Sequence, residues 1–353
     1  MWVYRLILAA LVILTAEAFL TVRFGLSKVR LERSFDTTHA VCGQRINLIE
    51  KISNHKILPV PCLKVESRID SSLQFGTLED LNILQNMFHV SLFSLLPYTR
   101  IIRTHNVKCN KRGYFHLKTA SLTARSITGS ASTNGEAKTD AELYVLPRTL
   151  SLQELKLPSH NWQGDLVVRR WILFDPFIKA GVREYTSYDP IKNINWKATA
   201  RTNSLQVNQY EPTADHRLMI LLNVDTSLDQ WSSTLEPQRV EYGISVIATI
   251  LEFAYKNSIE VGFSCNGYLK EMPKNYIHIE PGFSDSKRIE ILENLSRLEI
   301  ERSISFNGLI DRELERNPSC IDYLFVTAIL NKDSHDRIRR LRKKGNAVEI
   351  LEI

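Results

Sequence analysis

The chain has 353 residues, of which 44% are hydrophobic and 24% charged, with 14 glycines and 12 prolines. That composition can bury a core in about two domains and excludes collagen-like and low-complexity architectures. Basic residues exceed acidic ones by only 45 − 39 = 6, too few to make a nucleic-acid binder without a clustered face, so no nucleic-acid partner is expected. The five cysteines, at 42, 62, 109, 265 and 320, are odd in number and form no CxxC pair. They point to free thiols in a reducing compartment rather than to a disulfide framework or a zinc site.

The N-terminus comes first in chain order. Residues 6–22 read LILAALVILTAEAFLTV, an apolar run broken only by Glu17. With the preceding residues it reaches the roughly 20 that a membrane helix needs, and Trp2 and Tyr4 stand where interfacial aromatics belong. Arg5 and the small-x-small triplet Ala16-Glu17-Ala18 also resemble a cleaved signal peptide. The tract that follows carries Arg23, Lys28, Arg30 and Arg33 against a single acid, Glu32, and that positive bias favours a retained anchor with the main body in the cytoplasm.

From residue 23 to 148 short alternating segments predict an all-β sandwich: Val29-Leu31-Phe35, Ile46-Leu48, Leu63-Val65-Ile69, Ile101-Ile102, Tyr114 to Leu117, and Leu143 to Val145. Residues 78–88 suggest a short helix, and residues 126–139, SITGSASTNGEAKT, read as an exposed polar loop. Residues 149–212 show no dominant period. From 213 to 353 the pattern changes to alternating strands and helices. Residues 217–224 form a continuous apolar strand, Val240, Ile244, Ile247, Leu251 and Ala254 mark a helix, and residues 321–330 form a second buried strand. Ser284, Asp285 or Ser286 can cap a following helix, and Asp333 or Ser334 a basic C-terminal one. The expectation is a three-layer α/β domain with a mostly parallel sheet.

The middle segment holds the most distinctive residues. Residues 181–201 read GVREYTSYDPIKNINWKATAR. Asp189 before Pro190 offers a helix start, with Ile191 and Ile194 on its buried face. Arg183, Glu184, Tyr185, Asp189, Trp196, Lys197 and Arg201 are expected to form a packed, charge-assisted network. The alternative is a binding surface.

This motif, with Asn54 followed by Leu58-Pro59-Val60-Pro61 and the run Arg112-Gly113-Tyr114-Phe115, resembles the domain of unknown function 58 family. The resemblance implies a membrane helix, a β-sandwich, a linking segment with the motif residues Arg183, Glu184, Tyr185, Asp189, Pro190, Trp196, Lys197, Ala200 and Arg201, and a C-terminal von Willebrand factor A-like domain. It implies no reaction; the partner it suggests is a cytoplasmic MoxR-type ATPase of the AAA+ superfamily. Tyr188 stands where the family commonly has glycine. Domains of the A type often hold Mg²⁺ through Asp-x-Ser-x-Ser, and here the stretch is Asp225-Thr226-Ser227-Leu228-Asp229. Asp225, Ser227 and Asp229 make a degenerate set without recognisable remote ligands, so no cofactor is expected. No phosphate loop, GxSxG elbow or HExxH occurs, and the chain reads as a non-enzymatic membrane-anchored adaptor or assembly factor. The competing reading is a metal-dependent adhesion or ligand-binding protein facing the cell exterior.

Overall fold

The structure is a computed structural model that describes residues 2–75, 88–151, 179–186, 194–202, 204–210, 217–227, 236–316 and 321–353. The chain divides into two compact units, Met1–Arg148 with Leu292–Leu298, and Thr149–Ile291 with Glu299–Ile353. Cys42, Cys62, Cys109 and Cys265 form no disulfide among the described residues; Cys320 lies outside them.

The first unit opens with helix α1 (Trp2–Phe24), long and apolar enough to cross a membrane. Among the described residues nine strands follow: β1 (Val29–Phe35), β2 (His39–Val41), β3 (Arg45–Asn54), β4 (Val60–Arg68), β5 (Leu73–Phe75), β6 (Phe88–Leu95), β7 (Arg100–Cys109), β8 (Gly113–Arg125) and β9 (Ser132–Leu146). They form two sheets, β1-β3-β7-β5 and β2-β9-β8-β4-β6, antiparallel throughout except for the β2–β9 pair. The helix suggested for residues 78–88 lies outside the described residues except for Phe88, which begins β6.

The polar stretch at residues 126–139 is not a loop. Only residues 126–131 turn, and the remainder opens β9. Its small residues are small for packing reasons: a Cβ on Gly135 would come within 3.0 Å of Leu26, and Ala137 packs with Leu26 against the core. Side chains chosen for close approach to the end of α1 mimic loop composition.

Residues from both sheets build two apolar clusters, one around Ile46, Leu48, Val107, Phe115 and Leu143, the other around Leu31, Ile52, Leu63, Phe93 and Leu122. A polar layer separates them. On β1 the inward series is Leu31, Arg33, Phe35, and on β3 it is Leu48, Glu50, Ile52. Arg33 Nε donates to Glu50 Oε1 at 2.7 Å and its Nη1 to Ser67 Oγ at 2.8 Å. His105 Nε2 lies 3.0 Å from Glu50 Oε2 and Ser91 Oγ 3.4 Å from it. Arg33 is therefore a core residue, and it drops out of the juxtamembrane charge count made from sequence. A carboxylate buried without partners costs several kcal/mol, which is why three side chains, Arg33, His105 and Ser91, converge on this one.

Burial alone would raise the Glu50 carboxyl, but the His105 hydrogen bond and the charges of Arg33, His89 and His105 hold it down to about 2. His89 packs 4.7 Å from the rings of both Phe75 and His105, and among the described residues neither of its ring nitrogens has a hydrogen-bond partner. Burial pushes it down to about 4, opposed by Glu50 and assisted by His105, Arg33 and Arg103.

A histidine depressed on folding contributes stability above its unfolded value, about 6.5, that is lost as pH falls toward 4. The sandwich should therefore lose about 2 kcal/mol between pH 7.5 and pH 5. Denaturant midpoints measured across that range should show the loss in the wild type and a flattened profile in His89→Leu. An equal slope in the variant would assign the loss to other groups.

The second unit contains β10 (Lys179–Glu184), helix α2 (Trp196–Thr202), β11 (Gln206–Tyr210), β12 (Arg217–Leu222), α3 (Pro237–Lys256), β13 (Glu260–Cys265), β14 (Ile277–Gly282), the first half of α4 (Asp285–Arg297, whose residues from Leu292 group with the first unit), α5 (Phe306–Glu315), β15 (Ile321–Thr327), α6 (Lys332–Lys343) and β16 (Ala347–Glu352). The main sheet runs β14-β13-β12-β15-β16, parallel except at the β14 edge. Strand alternation sorts the side chains onto two faces. Met219, Leu221, Tyr323 and Phe325 meet α5 and α6, while Val326 meets α3 at Gly243.

Helix α3 buries Val240, Ile244, Ile247, Leu251 and Ala254 at the predicted spacing. Ser284 Oγ accepts from the Lys287 amide at the start of α4. For α6 the cap is Asn331, which accepts from the Ser334 amide at 2.7 Å, rather than Asp333 or Ser334. Helix α5 has no counterpart in the sequence-based expectation. Its signal was present in the cap Ser305 and the buried series Phe306, Leu309, Ile310 and Glu313.

Candidate functional site

Two places in the second unit concentrate chemistry-bearing residues. The first is the carboxyl end of the central parallel strand, where open α/β sheets place their ligand crevices. After β12 the chain continues through Asn223 and Asp225, which are 2% and 4% exposed. Asn223 Oδ1 accepts from the Asp225 amide at 3.0 Å, and its Nδ2 donates to Thr327 Oγ1 at the end of β15 at 3.0 Å. Asn266, just past β13, accepts from the Val224 amide at 2.8 Å and donates to Asn223 Oδ1 and Asp225 Oδ2 at 3.1 and 3.2 Å. Three neighbouring parallel strands are thus tied together at their carboxyl ends by amide and hydroxyl side chains.

Both oxygens of Asp225 also receive a guanidinium. Arg302 Nε donates to Oδ1 at 3.0 Å and Nη2 to Oδ2 at 2.9 Å, a fork geometry suited to a carboxylate. Beside this pair lies a cavity of about 110 Å³, lined in part by Ser227, Ser305, Asn307, Asn331 and Ser334. Ser305 and Asn331 are the caps of α5 and α6, so the amino ends of both helices flank the same depression.

This donor set does not fit a divalent ion. The Asp225 oxygens already accept three hydrogen bonds, two of them from a cation that would repel another cation. Ser227 lines the cavity half-buried, and Asp229 lies outside the described residues. The described charged partner of Asp225 is Arg302. The pairing came from a residue 77 positions away, with no local pattern to reveal it.

The second place is the motif segment. Strands β10 and β11 pair antiparallel, with Arg183 opposite Val207 and Glu184 opposite Gln206. Helix α2 is tied to β11 by two bonds: Asn195 N to Gln206 O at 2.7 Å, and Gln206 N to Thr199 Oγ1 at 2.9 Å. Asn195 caps the helix through the Ala198 amide at 3.0 Å. Ile194 is not helical but bridges to Val207, because a single strand-like residue precedes the cap. Asp189, Pro190 and Tyr188 lie outside the described residues.

The expected packed network is not what the described residues form. No side chain of α2 is buried; Trp196 is 66% exposed, and Lys197, Ala200 and Arg201 are exposed with it. Arg183 and Glu184 are likewise exposed, and Tyr185 is half-buried with its amide bonded to Leu205 O. The backbone and the small polar residues Asn195 and Thr199 hold the segment, leaving the aromatic and charged side chains at the surface.

The motif and Asp225 fall within one recognisable stretch. Residues 181–298 match the family described as Protein of unknown function DUF58. Arg302, which holds Asp225, lies beyond the DUF58 match. No curated protein matches the chain. Among solved structures, the CARDB domain of a Pyrococcus furiosus protein in complex with di-metal ions is 12% identical, covering 31% of this chain and 91% of its own, with a TM-score of 0.21. The third cohesin of ScaC from Acetivibrio cellulolyticus, solved with the ScaB dockerin, is 13% identical over 33% of this chain and 98% of its own, at 0.23. A non-cellulosomal cohesin from Archaeoglobus fulgidus is 13% identical over 37% and 99%, also at 0.23. Likenesses this slight carry no statement about what the chain binds.

Asp225→Asn should leave Arg302 without its counter-charge and lower stability by about 2 kcal/mol, and Arg302→Ala should do the same from the other side. The double variant should cost less than the sum, which a denaturation cycle over the four proteins measures. Millimolar Mg²⁺ should leave the wild-type melting temperature unchanged. A saturable rise that disappears in Asp225→Asn would sink the guanidinium-for-metal reading.

Proposed function

We propose that this chain is a member of the DUF58 family acting as a non-enzymatic, membrane-anchored adaptor that docks a protein partner through its α/β unit. The observation that carries the proposal is the exposure of Trp196 beside Lys197 and Arg201 on a helix that buries nothing. Large aromatics and arginines are the side chains that dominate binding energy at protein interfaces, and a helix with no core role keeps them available. The α/β unit is read as a von Willebrand A-like domain in which the Arg302 guanidinium stands where such domains often hold an ion. The partner implied by the family resemblance is a MoxR-type AAA+ ATPase. That assignment needs the body in the cytoplasm, for which exposed Arg23 in the last turn of α1 and Lys28 and Arg30 after it supply the charge bias. A metal-dependent adhesion role finds no support at Asp225, whose oxygens are occupied by Arg302.

Trp196→Ala and Arg201→Ala should keep wild-type melting behaviour, because neither side chain is buried. Affinity purification from detergent-solubilised membranes, with bound proteins identified by mass spectrometry, should recover an AAA+ ATPase with the wild type and lose it with either variant. A large drop in melting temperature for Trp196→Ala would return the motif to a structural role. Recovery of the same ATPase with both variants would place the docking surface elsewhere.

A further inference from the structure

The sandwich end next to α1 carries an unassigned surface. Strand register places three connections there: residues 55–59 between β3 and β4, 96–99 between β6 and β7, and 126–131 between β8 and β9. Val29 pairs with Asn54, Val60 with Leu95 and Cys62 with Arg125, so all three connections lie at the end where β1 emerges from the helix. Each exposes large apolar side chains to solvent: Ile57 at 72%, Leu96 at 65%, Tyr98 at 71% and Ile127 at 76%.

These loops are fixed to one another and to α1. Asn54 Nδ2 donates to Leu58 O at 2.9 Å and Leu96 O at 3.1 Å. Lys56 Nζ donates to Gly25 O at 2.7 Å and Ser27 O at 2.9 Å, just past the end of the helix. The Ile127 amide donates to Glu17 Oε1 at 3.0 Å, which sets the β8–β9 turn alongside the helix, well before its last residue. An apolar groove of about 340 Å³, walled by Ile13, Leu20, Phe24, Leu58, Pro61 and Ile127, runs between α1 and the loops.

Apart from Glu17 on α1, the charges at this end are of one sign. Residues 23–31, 54–61, 95–102 and 123–132 contain no Asp or Glu, yet carry Arg23, Lys28, Arg30, Lys56, Arg100 and Arg125. Cations interleaved with exposed apolar residues, beside an apolar helix, are the composition of an interfacial lipid surface. Lengths agree. Between Trp2, at one interface, and Glu17 the helix rises about 22 Å. A hydrocarbon core of about 30 Å leaves roughly 8 Å to be covered, which matches the depth of roughly 5–10 Å to which interfacial apolar residues insert.

We propose that the three loops at the α1 end of the sandwich insert into the headgroup and upper acyl region of an anionic lipid bilayer, seating the sandwich on the membrane. The proposal rests on the membrane-anchor reading above. Ile57, Leu96, Tyr98 and Ile127 enter the bilayer surface, the exposed cations Arg23, Lys28, Arg30, Arg100 and Arg125 meet lipid phosphates while buried Lys56 braces the loops, and an acyl chain fills the groove.

The test places the photoreactive residue benzoylphenylalanine at position 57, 98 or 127, and at Lys111 as a control. Lys111 is exposed in the β7–β8 turn at the opposite end of the strands. The full chain is reconstituted into phosphatidylcholine vesicles with and without phosphatidylserine, irradiated, and read by intact mass. Positions 57, 98 and 127 should gain the mass of one phospholipid, more so with phosphatidylserine, and position 111 should not. Alkaline carbonate extraction separates the two levels of failure. A chain that resists extraction but gives no lipid adduct at the three positions, or gives adducts to a second copy of itself, overturns the loop surface alone. A chain released by extraction overturns the anchor and the loop surface together.

Discussion

Asp225 follows the central parallel strand of the α/β unit with a carboxylate that is almost wholly buried, and the arrangement around it depends on how that charge is satisfied. Leaving it unpaired would cost several kcal/mol, comparable with much of a domain's net stability. The Arg302 fork meets both oxygens, and the Asn266 amide adds a third donor. Asn266 in turn holds the Val224 amide and receives bonds at its own carbonyl from the Ser303 amide and hydroxyl, each at 2.8 Å. The same Ser303–Arg302 corner leads into the cap of α5. One ion pair therefore links the ends of β12 and β13 with the start of a helix, and its loss would loosen all three.

The sandwich meets the same electrostatic problem by the same means. Glu50 sits at the centre of its core, and Arg33, His105 and Ser91 supply the donors. In both units a guanidinium is the principal partner, as expected where a carboxylate must be satisfied out of water: its charge is permanent and its donors lie in a fixed plane. The polar layer also pins register. A slip of one residue along β1 or β3 would turn Arg33 or Glu50 outward and leave the other buried alone.

The motif segment follows a different logic. Main-chain bonds and the short side chains of Asn195 and Thr199 hold α2 against β11, so the rare residues Trp196, Lys197 and Arg201 have no share in that framework. A density of charges and aromatics in sequence suggested a packed network, but seven helical residues attached along one edge cannot enclose a tryptophan. What looks like a core motif in one dimension is a surface in three.

Periodicity was enough to determine the apolar helix at the N-terminus, the β-rich segment that follows and the alternating strands and helices beyond residue 213, because these depend on spacing between near neighbours. The Val240 to Ala254 face and the buried run from Leu218 to Leu222 lie where their patterns place them. Long-range contacts decided the rest. Glu17, a flaw in a membrane helix when read along the chain, accepts the Ile127 amide 110 residues away. Arg33, counted as a surface cation, belongs to a core carboxylate. Thr133, Gly135 and Ala137 alternate along β9 beside Gly25 and Leu26, just past α1, and Asp225 meets a guanidinium rather than the neighbours its motif suggested. In each case the side chain's role was set by a partner distant in sequence, and only the packing of the folded chain brings such partners within reach.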